Sequence, residues 1–168
     1  MSENVSIRRA RLGDEAVLAR IQTESWKAAF AGILDRETLT SRTELNRAEA
    51  MYLRTLQQDM GRGYILFLDD HPHCIAWWDA ARDARLEGKA EIICIHSLPD
   101  KWRRGYGSRM MDFLLSDIRS AGYAEAVLWV FRDNLRARAF YEAKGFRLTD
   151  LSATALGAQE VLYAIDLC

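Results

Sequence analysis

The chain has 168 residues, and its 23 basic side chains against 24 acidic ones leave a formal net charge of −1. That length predicts a single domain spanning 1–168, able to bury roughly 70% of its unfolded surface without help from disulfides or metals. A hydrophobic fraction of 49% beside 28% charged residues excludes a disordered chain, and the near-zero charge argues against a nucleic-acid protein whose whole body is a cation.

Lys occurs only at positions 27, 89, 101 and 144, so Arg dominates the basic set. The guanidinium fork suits phosphate or carboxylate, although high-GC codon usage gives the same bias. The stretch Met1 to Arg8 has no apolar run behind a basic start, so no signal peptide is expected. No segment approaches about 18 consecutive apolar residues, so no membrane partner is expected either. Cys74, Cys94 and Cys168 are isolated, with only His71 and His73 close together, which predicts neither zinc site nor disulfide framework. Cytoplasm is the expected compartment.

In chain order, Val5 to Arg8 reads as a short strand and Asp14 as a helix start. Val17, Leu18, Ile21 and Ala28 follow helical spacing up to Gly32. A second helix is predicted from Ser41 to Gln58, before Gly61 and Gly63. Tyr64–Leu68 and Cys74–Trp78 flank a turn at Asp69-Asp70-His71-Pro72, a hairpin signature. Ala81 to Lys89 reads as a loop and Ala90 to Leu98 as a strand. A helix follows from Arg104 to Ala121, and Val127–Phe131 has the continuous apolar run of a strand buried on both faces. Asn134 to Lys144 is a helix closed by Gly145, and Phe146–Leu148 and Val161–Leu167 supply the last strands. The order predicts a mixed α/β fold, a sheet with helices on its faces.

Two constellations carry chemistry. The first is Pro99-Asp100-Lys101-Trp102-Arg103-Arg104-Gly105-Tyr106-Gly107-Ser108, which leaves a strand and enters a helix. Its glycines let backbone amides face a ligand, and the helix N-terminus adds free N–H groups with partial positive charge. Lys101, Arg103, Arg104 and Arg109 concentrate cations there. Met110 stands where a dinucleotide fingerprint needs its third Gly, and the Gly-Lys-Ser/Thr of a P-loop is missing. The loop is therefore a pyrophosphate site of another type or an ordinary turn. The second constellation places Asn134, Arg138 and Tyr141 on one helix face after a buried strand. Asn134 is a ligand contact or a helix cap, and Tyr141 a proton donor or a core aromatic.

Together the signature Asn134-x-x-Ala137-x-x-Phe140-Tyr141-Glu142-x-x-Gly145-Phe146 and the upstream loop resemble those of the GNAT N-acetyltransferases. Trp26-x-x-x-Phe30-x-Gly32 is similar to the segment after the first helix in many bacterial members, so the resemblance covers nearly the whole chain. It implies a central mixed, largely antiparallel sheet with helices on both faces, and acetyl-CoA as cosubstrate without a metal. It implies that the amides of Arg103, Arg104, Gly105, Tyr106, Gly107 and Ser108 hold the coenzyme pyrophosphate. Main-chain groups of Ile95, His96 and Ser97 would take the pantetheine arm, with Asn134 contacting it and Tyr141 beside the thioester sulfur. Glu91 matches a position that often carries a base acting through water, and Trp26 and Phe30 would line an acceptor pocket. Trp102 departs from the family's Gln/Arg at the head of the loop motif, and Arg103 or Arg104 is the expected substitute.

A thioester is already activated, so a positioned neutral amine attacks it without a covalent enzyme intermediate. Glu91 is expected to take the amine proton, backbone N–H groups to stabilise the oxyanion, and Tyr141 to supply the leaving sulfur. For Glu91 the competing reading is a solvent-facing charge, for Trp26 and Phe30 core packing, and for His96 a residue of the sheet face. Cys94 offers a covalent acyl route that no neighbouring base in the sequence supports. The expected activity is transfer of an acetyl group to a small amine or a peptide N-terminus. The alternative is a non-catalytic acyl-CoA sensor on the same scaffold, and a nucleotide-binding module is a weaker third reading. Nucleic acid is not an expected partner. Oligomeric state is open, with a homodimer as one expectation in which the final strand near Val161 to Leu167 pairs or packs with another subunit.

Overall fold

A computed structural model describes residues 3–168, so the N-terminal reading at Met1 and Ser2 lies outside it. Seven strands form one sheet in the order β1-β2-β3-β4-β5-β7-β6. They are β1 (Val5–Arg9), β2 (Arg62–Leu68), β3 (His71–Ala80), β4 (Ala90–Ser97), β5 (Glu125–Phe131), β6 (Arg147–Ala155) and β7 (Ala158–Asp166). Among the described residues only the β4–β5 pair is parallel, and the other pairs are antiparallel. The mixed, largely antiparallel sheet expected from the sequence is thus present.

Helices cover both faces. Helices α4 (Tyr106–Ser120) and α5 (Leu135–Ala143) pack over one, where Met110, Met111, Leu114 and Tyr141 meet Leu66, Ala76, Ile92 and Leu128. Helices α1 (Glu15–Ala29) and α3 (Leu45–Gln57) cover the other, with Leu18, Ile21 and Tyr52 against Ile65, Ile75 and Trp77. Strand alternation makes both contacts possible: Ile65 and Leu66 point to opposite sides of the sheet.

Polar ties fix these layers. On α4, Asp117 accepts hydrogen bonds from the Tyr64 hydroxyl at 2.6 Å and the Trp78 indole N–H at 2.8 Å. At Gly63 a Cβ would lie 2.1 Å from the Trp77 ring, so only glycine lets that indole lie across β2.

Four expectations are corrected. The helix over 41–58 is two helices, α2 (Arg36–Arg42) and α3, because Asp35 caps the Thr38 amide at 2.8 Å and starts α2 early. Thr43 then ends α2 by returning its hydroxyl to the Leu39 carbonyl at 2.7 Å. The helix expected from Arg104 begins at Tyr106, because Gly105 holds a left-handed φ of +85°. The hairpin turn is only Asp69-Asp70, both at positive φ, and Pro72 lies inside β3 beside a register shift. Finally β7 lies between β5 and β6, so its edges are both taken and it cannot pair with another subunit's strand; the open edges of the sheet are β1 and β6.

Candidate functional site

The parallel β4–β5 pair supplies the slot. Its registered partners are Ala90 with Ala126 and Glu91 with Val127, at one end only. On the other side β4 stays paired with β3, and the register shift there leaves Ile93 as an extra residue. Such a bulge bends a strand. Beyond Glu91 the two strands diverge, and the main chain of Ile95 to Ser97 carries no strand partner on the β5 side.

A cavity of about 740 Å³ occupies this divergence, large enough for most of a cofactor-sized ligand. It includes Ser25 of α1, on the sheet face opposite α4, so it reaches through the slot. Of the residues expected to bind the coenzyme, Ile95, Ser97 and Arg103 line it. Gly105, Tyr106, Gly107 and Ser108 line its floor at the start of α4. His96, Arg104 and Asn134 do not line it.

The loop presents donors. Arg109 makes the first helical bond, to the Gly105 carbonyl, and the amides of Tyr106, Gly107 and Ser108 find no acceptor among the described residues. They open a helix of 15 residues, so the positive end of its dipole faces the cavity. Lys101 is held by Glu3 at 2.9 Å, and Glu3 also receives the Tyr106 hydroxyl. Arg103 sits at φ +66° and, like Arg104 and Arg109, has no carboxylate partner among the described residues. These donors and cations fit a pyrophosphate.

Tyr141 lies at the inner end of the same cavity. Burial is the main cause that raises its phenol above the ordinary value of 10.0, so the hydroxyl keeps its proton. Among the described residues that hydroxyl has no hydrogen-bond partner. Asn134 is a cap: its side-chain oxygen accepts from the Ala137 amide at 3.3 Å. Arg138 turns away to the Tyr163 hydroxyl at 2.9 Å and the Arg132 carbonyl at 2.8 Å.

Glu91 is 2% exposed and lies outside the cavity lining. Its neighbours Ala90 and Ile92 pack under α4, so alternation turns Glu91 to the α1 side. Both carboxylate oxygens are engaged by Arg82, at 2.7 Å from Nη2 and 3.1 Å from Nε. On that side, outside the cavity lining, the Phe30 ring lies 5.0 Å between centroids from Trp26 and 5.0 Å from Phe131. His96 joins them, accepting the Trp26 indole N–H at 3.2 Å, and burial pushes its imidazole down to about 4. Burial pushes the Cys94 thiol up to about 12, which leaves little thiolate for a covalent route.

Two cavity residues escaped the sequence reading. His73 is 3% exposed, and its Nε2 has no partner among the described residues. The β3 irregularity turns it toward Tyr106, and alternation within a single sequence does not disclose a bulge. Arg136 lies over the Trp102 ring; its place in the first turn of α5, two residues after the Asn134 cap, was the available signal. Among the described residues no cluster of three or more His, Cys, Asp or Glu could hold a metal ion, and no helix is long and apolar enough to cross a membrane.

Comparison with known proteins agrees with this geometry. The model of the acetyltransferase (GNAT) family matches residues 26–146. A spermidine N(1)-acetyltransferase of Thermoplasma acidophilum is 24% identical over 152 residues, covering 88% of this chain and 91% of its own. The fold is similar to PaiA N-acetyltransferase from Thermoplasma acidophilum, solved with coenzyme A: TM-score 0.79, 21% identity, 95% of this chain and 98% of that one. It is also similar to YncA from Salmonella typhimurium, solved with acetyl-CoA, at TM-score 0.73 and 16% identity over 98% and 94% of the two chains. With the loop, the slot and the buried tyrosine in place, the family match settles the class: the chain belongs to the acetyltransferase (GNAT) family of N-acetyltransferases.

Proposed function

We propose that the chain moves the acetyl group of acetyl-CoA directly to a primary amine of a small molecule. The observation that carries this reading is that helix N-terminal amides and a buried tyrosine hydroxyl, without partners among the described residues, share one cavity. The amides and Arg103 suit the pyrophosphate end of the coenzyme. The unpaired main chain of Ile95 to Ser97 suits the amide-bearing pantetheine arm, which would extend the sheet toward β5.

In this reading the amine enters from the α1 side, past Trp26, Phe30 and Phe131. Its nitrogen forms a bond to the thioester carbon, and the carbon–sulfur bond breaks. The nitrogen's proton passes to solvent water, because Glu91, expected from the sequence as the base, is 2% exposed, lies outside the cavity lining and is held through both oxygens by Arg82. The Tyr141 hydroxyl donates to the departing sulfur, and solvent returns its proton. Main-chain N–H groups on β4 stabilise the oxyanion, a contribution worth a few kcal/mol for one well-aimed donor. Similarity to a spermidine acetyltransferase supports polyamines as the first acceptors to try.

The test is a panel of polyamines, short diamines, amino acids and peptides with free N-termini, incubated with acetyl-CoA and read by mass spectrometry. An acetylated amine with matching thiol release is expected. If coenzyme A binds but no member of the panel gains an acetyl group, the transferase reading of this site fails and a sensor role replaces it.

A further inference from the structure

Among the described residues Arg136 is a cation without a counter-ion. Its guanidinium carbon lies 3.4 Å from the centroid of the Trp102 ring, a stacking distance. Among the described residues it makes no ion pair and no hydrogen bond. Partial burial, and after it the like charge of Arg103, disfavour the charge on Arg136. Two like charges facing one cavity with no carboxylate between them repel, and the arrangement is stabilised by an anion. Both line the cavity whose floor carries the free amides of Tyr106, Gly107 and Ser108.

Trp102 is itself fixed. Its indole N–H donates to the Ser97 carbonyl at 3.0 Å, so it has no donor left for a ligand. What it offers is a rigid face. A guanidinium stacked flat on that face keeps its in-plane N–H groups pointing outward, which is the geometry for gripping phosphate oxygens in pairs. The two partners come from different elements: Trp102 follows the short 3₁₀ turn Pro99–Lys101 after β4, and Arg136 stands in the first turn of α5. The stack therefore bridges the two sides of the diverging strands.

We propose that Trp102 and Arg136 form a phosphate clamp in which the indole aligns Arg136 and, with Arg103, aims it at a phosphate of the coenzyme. This rests on the coenzyme-binding reading above and names the side chains that grip the charged end. Arg136 is a binding residue; Trp102 is a positioning residue that acts through it.

The test is calorimetric titration with coenzyme A, 3′-dephospho-coenzyme A and pantetheine. The proteins are wild type, Arg136→Ala, Arg136→Lys, Trp102→Ala and the Arg136→Ala/Trp102→Ala double variant, each with its ligand-free melting temperature. The clamp predicts that Arg136→Ala weakens coenzyme A by about tenfold or more and leaves pantetheine within about twofold, consistent with one lost charge-assisted pair. Lysine, which cannot stack as a plane, should recover only part of the loss. The double variant should bind about as well as Arg136→Ala alone, because Trp102 acts through Arg136. A penalty that persists with the dephospho compound assigns the pyrophosphate, and one that disappears assigns the 3′-phosphate; either supports the clamp. Equal weakening of coenzyme A and pantetheine, or coenzyme A affinity within twofold of wild type, overturns it while leaving coenzyme binding intact. Failure of the wild type to bind coenzyme A overturns the underlying reading instead.

Discussion

The indole N–H of Trp26 donates to Nε2 of His96 across 3.2 Å, tying helix α1 to the free side of strand β4. The bond requires an unprotonated Nε2, and burial holds the imidazole at about 4 against an ordinary value of 6.5. The unfolded chain therefore takes up a proton between those values that the folded chain refuses. Stability from this site is complete above about pH 6.5 and is lost as the pH falls toward 4. Urea unfolding at pH 7 and pH 5 should show wild type losing about 1–2 kcal/mol more than His96→Asn, at about 1.4 kcal/mol per pH unit. Parallel losses in both proteins would show that His96 titrates normally.

Tyr141→Phe separates chemistry from architecture. The hydroxyl has no protein partner among the described residues, so its removal should change the melting temperature little. A kcat lowered by about 10²-fold with coenzyme A affinity within about twofold is expected for a lost proton donor. Equal losses in kcat and affinity would make Tyr141 a binding residue.

The loop glycines should behave differently from each other. A Cβ at Gly107 meets only the Phe140 ring at 3.8 Å, an ordinary contact, so Gly107→Ala should fold normally. It should nevertheless weaken coenzyme A by about tenfold, because the methyl group stands between the free amides and a phosphate. Gly105 needs φ +85° and has open space around it, so Gly105→Ala should cost about 1 kcal/mol of stability through strain alone. Thermal melts beside calorimetry distinguish the two.

Asp117 tests the packing of α4. Asp117→Ala leaves the Tyr64 hydroxyl and Trp78 indole without their acceptor, a loss of about 2–3 kcal/mol in denaturant unfolding. Coenzyme affinity should follow only if α4 shifts its N-terminus.

Much of this was legible in the sequence because it is local. The glycine pair at 105 and 107 and the closing Gly145 sit within single turns, so spacing alone places them, whereas spacing left Asn134 open between a cap and a ligand contact and the structure makes it a cap. The cap at Asp35 is equally local, three residues before Thr38, but the apolar pattern of 41–58 runs across the break at Thr43 and masks it. What spacing could not reveal is pairing across the fold. The bulge that leaves Ile93 unpaired depends on β3, and the capture of Glu91 depends on a loop nine residues upstream. The stack of Arg136 on Trp102 joins residues 34 apart, and neither residue alone marks it. Local turns were therefore legible in the sequence, and contacts between distant strands and loops were not.

The most direct test of direct acetyl transfer is rapid mixing of the protein with acetyl-CoA, with and without an accepted amine, while free thiol is followed over the first turnover. Attack by the amine itself predicts no thiol burst in its absence, and one thiol per acetylated amine in its presence. A stoichiometric burst without amine, accompanied by an acetyl group on Cys94, would contradict the account.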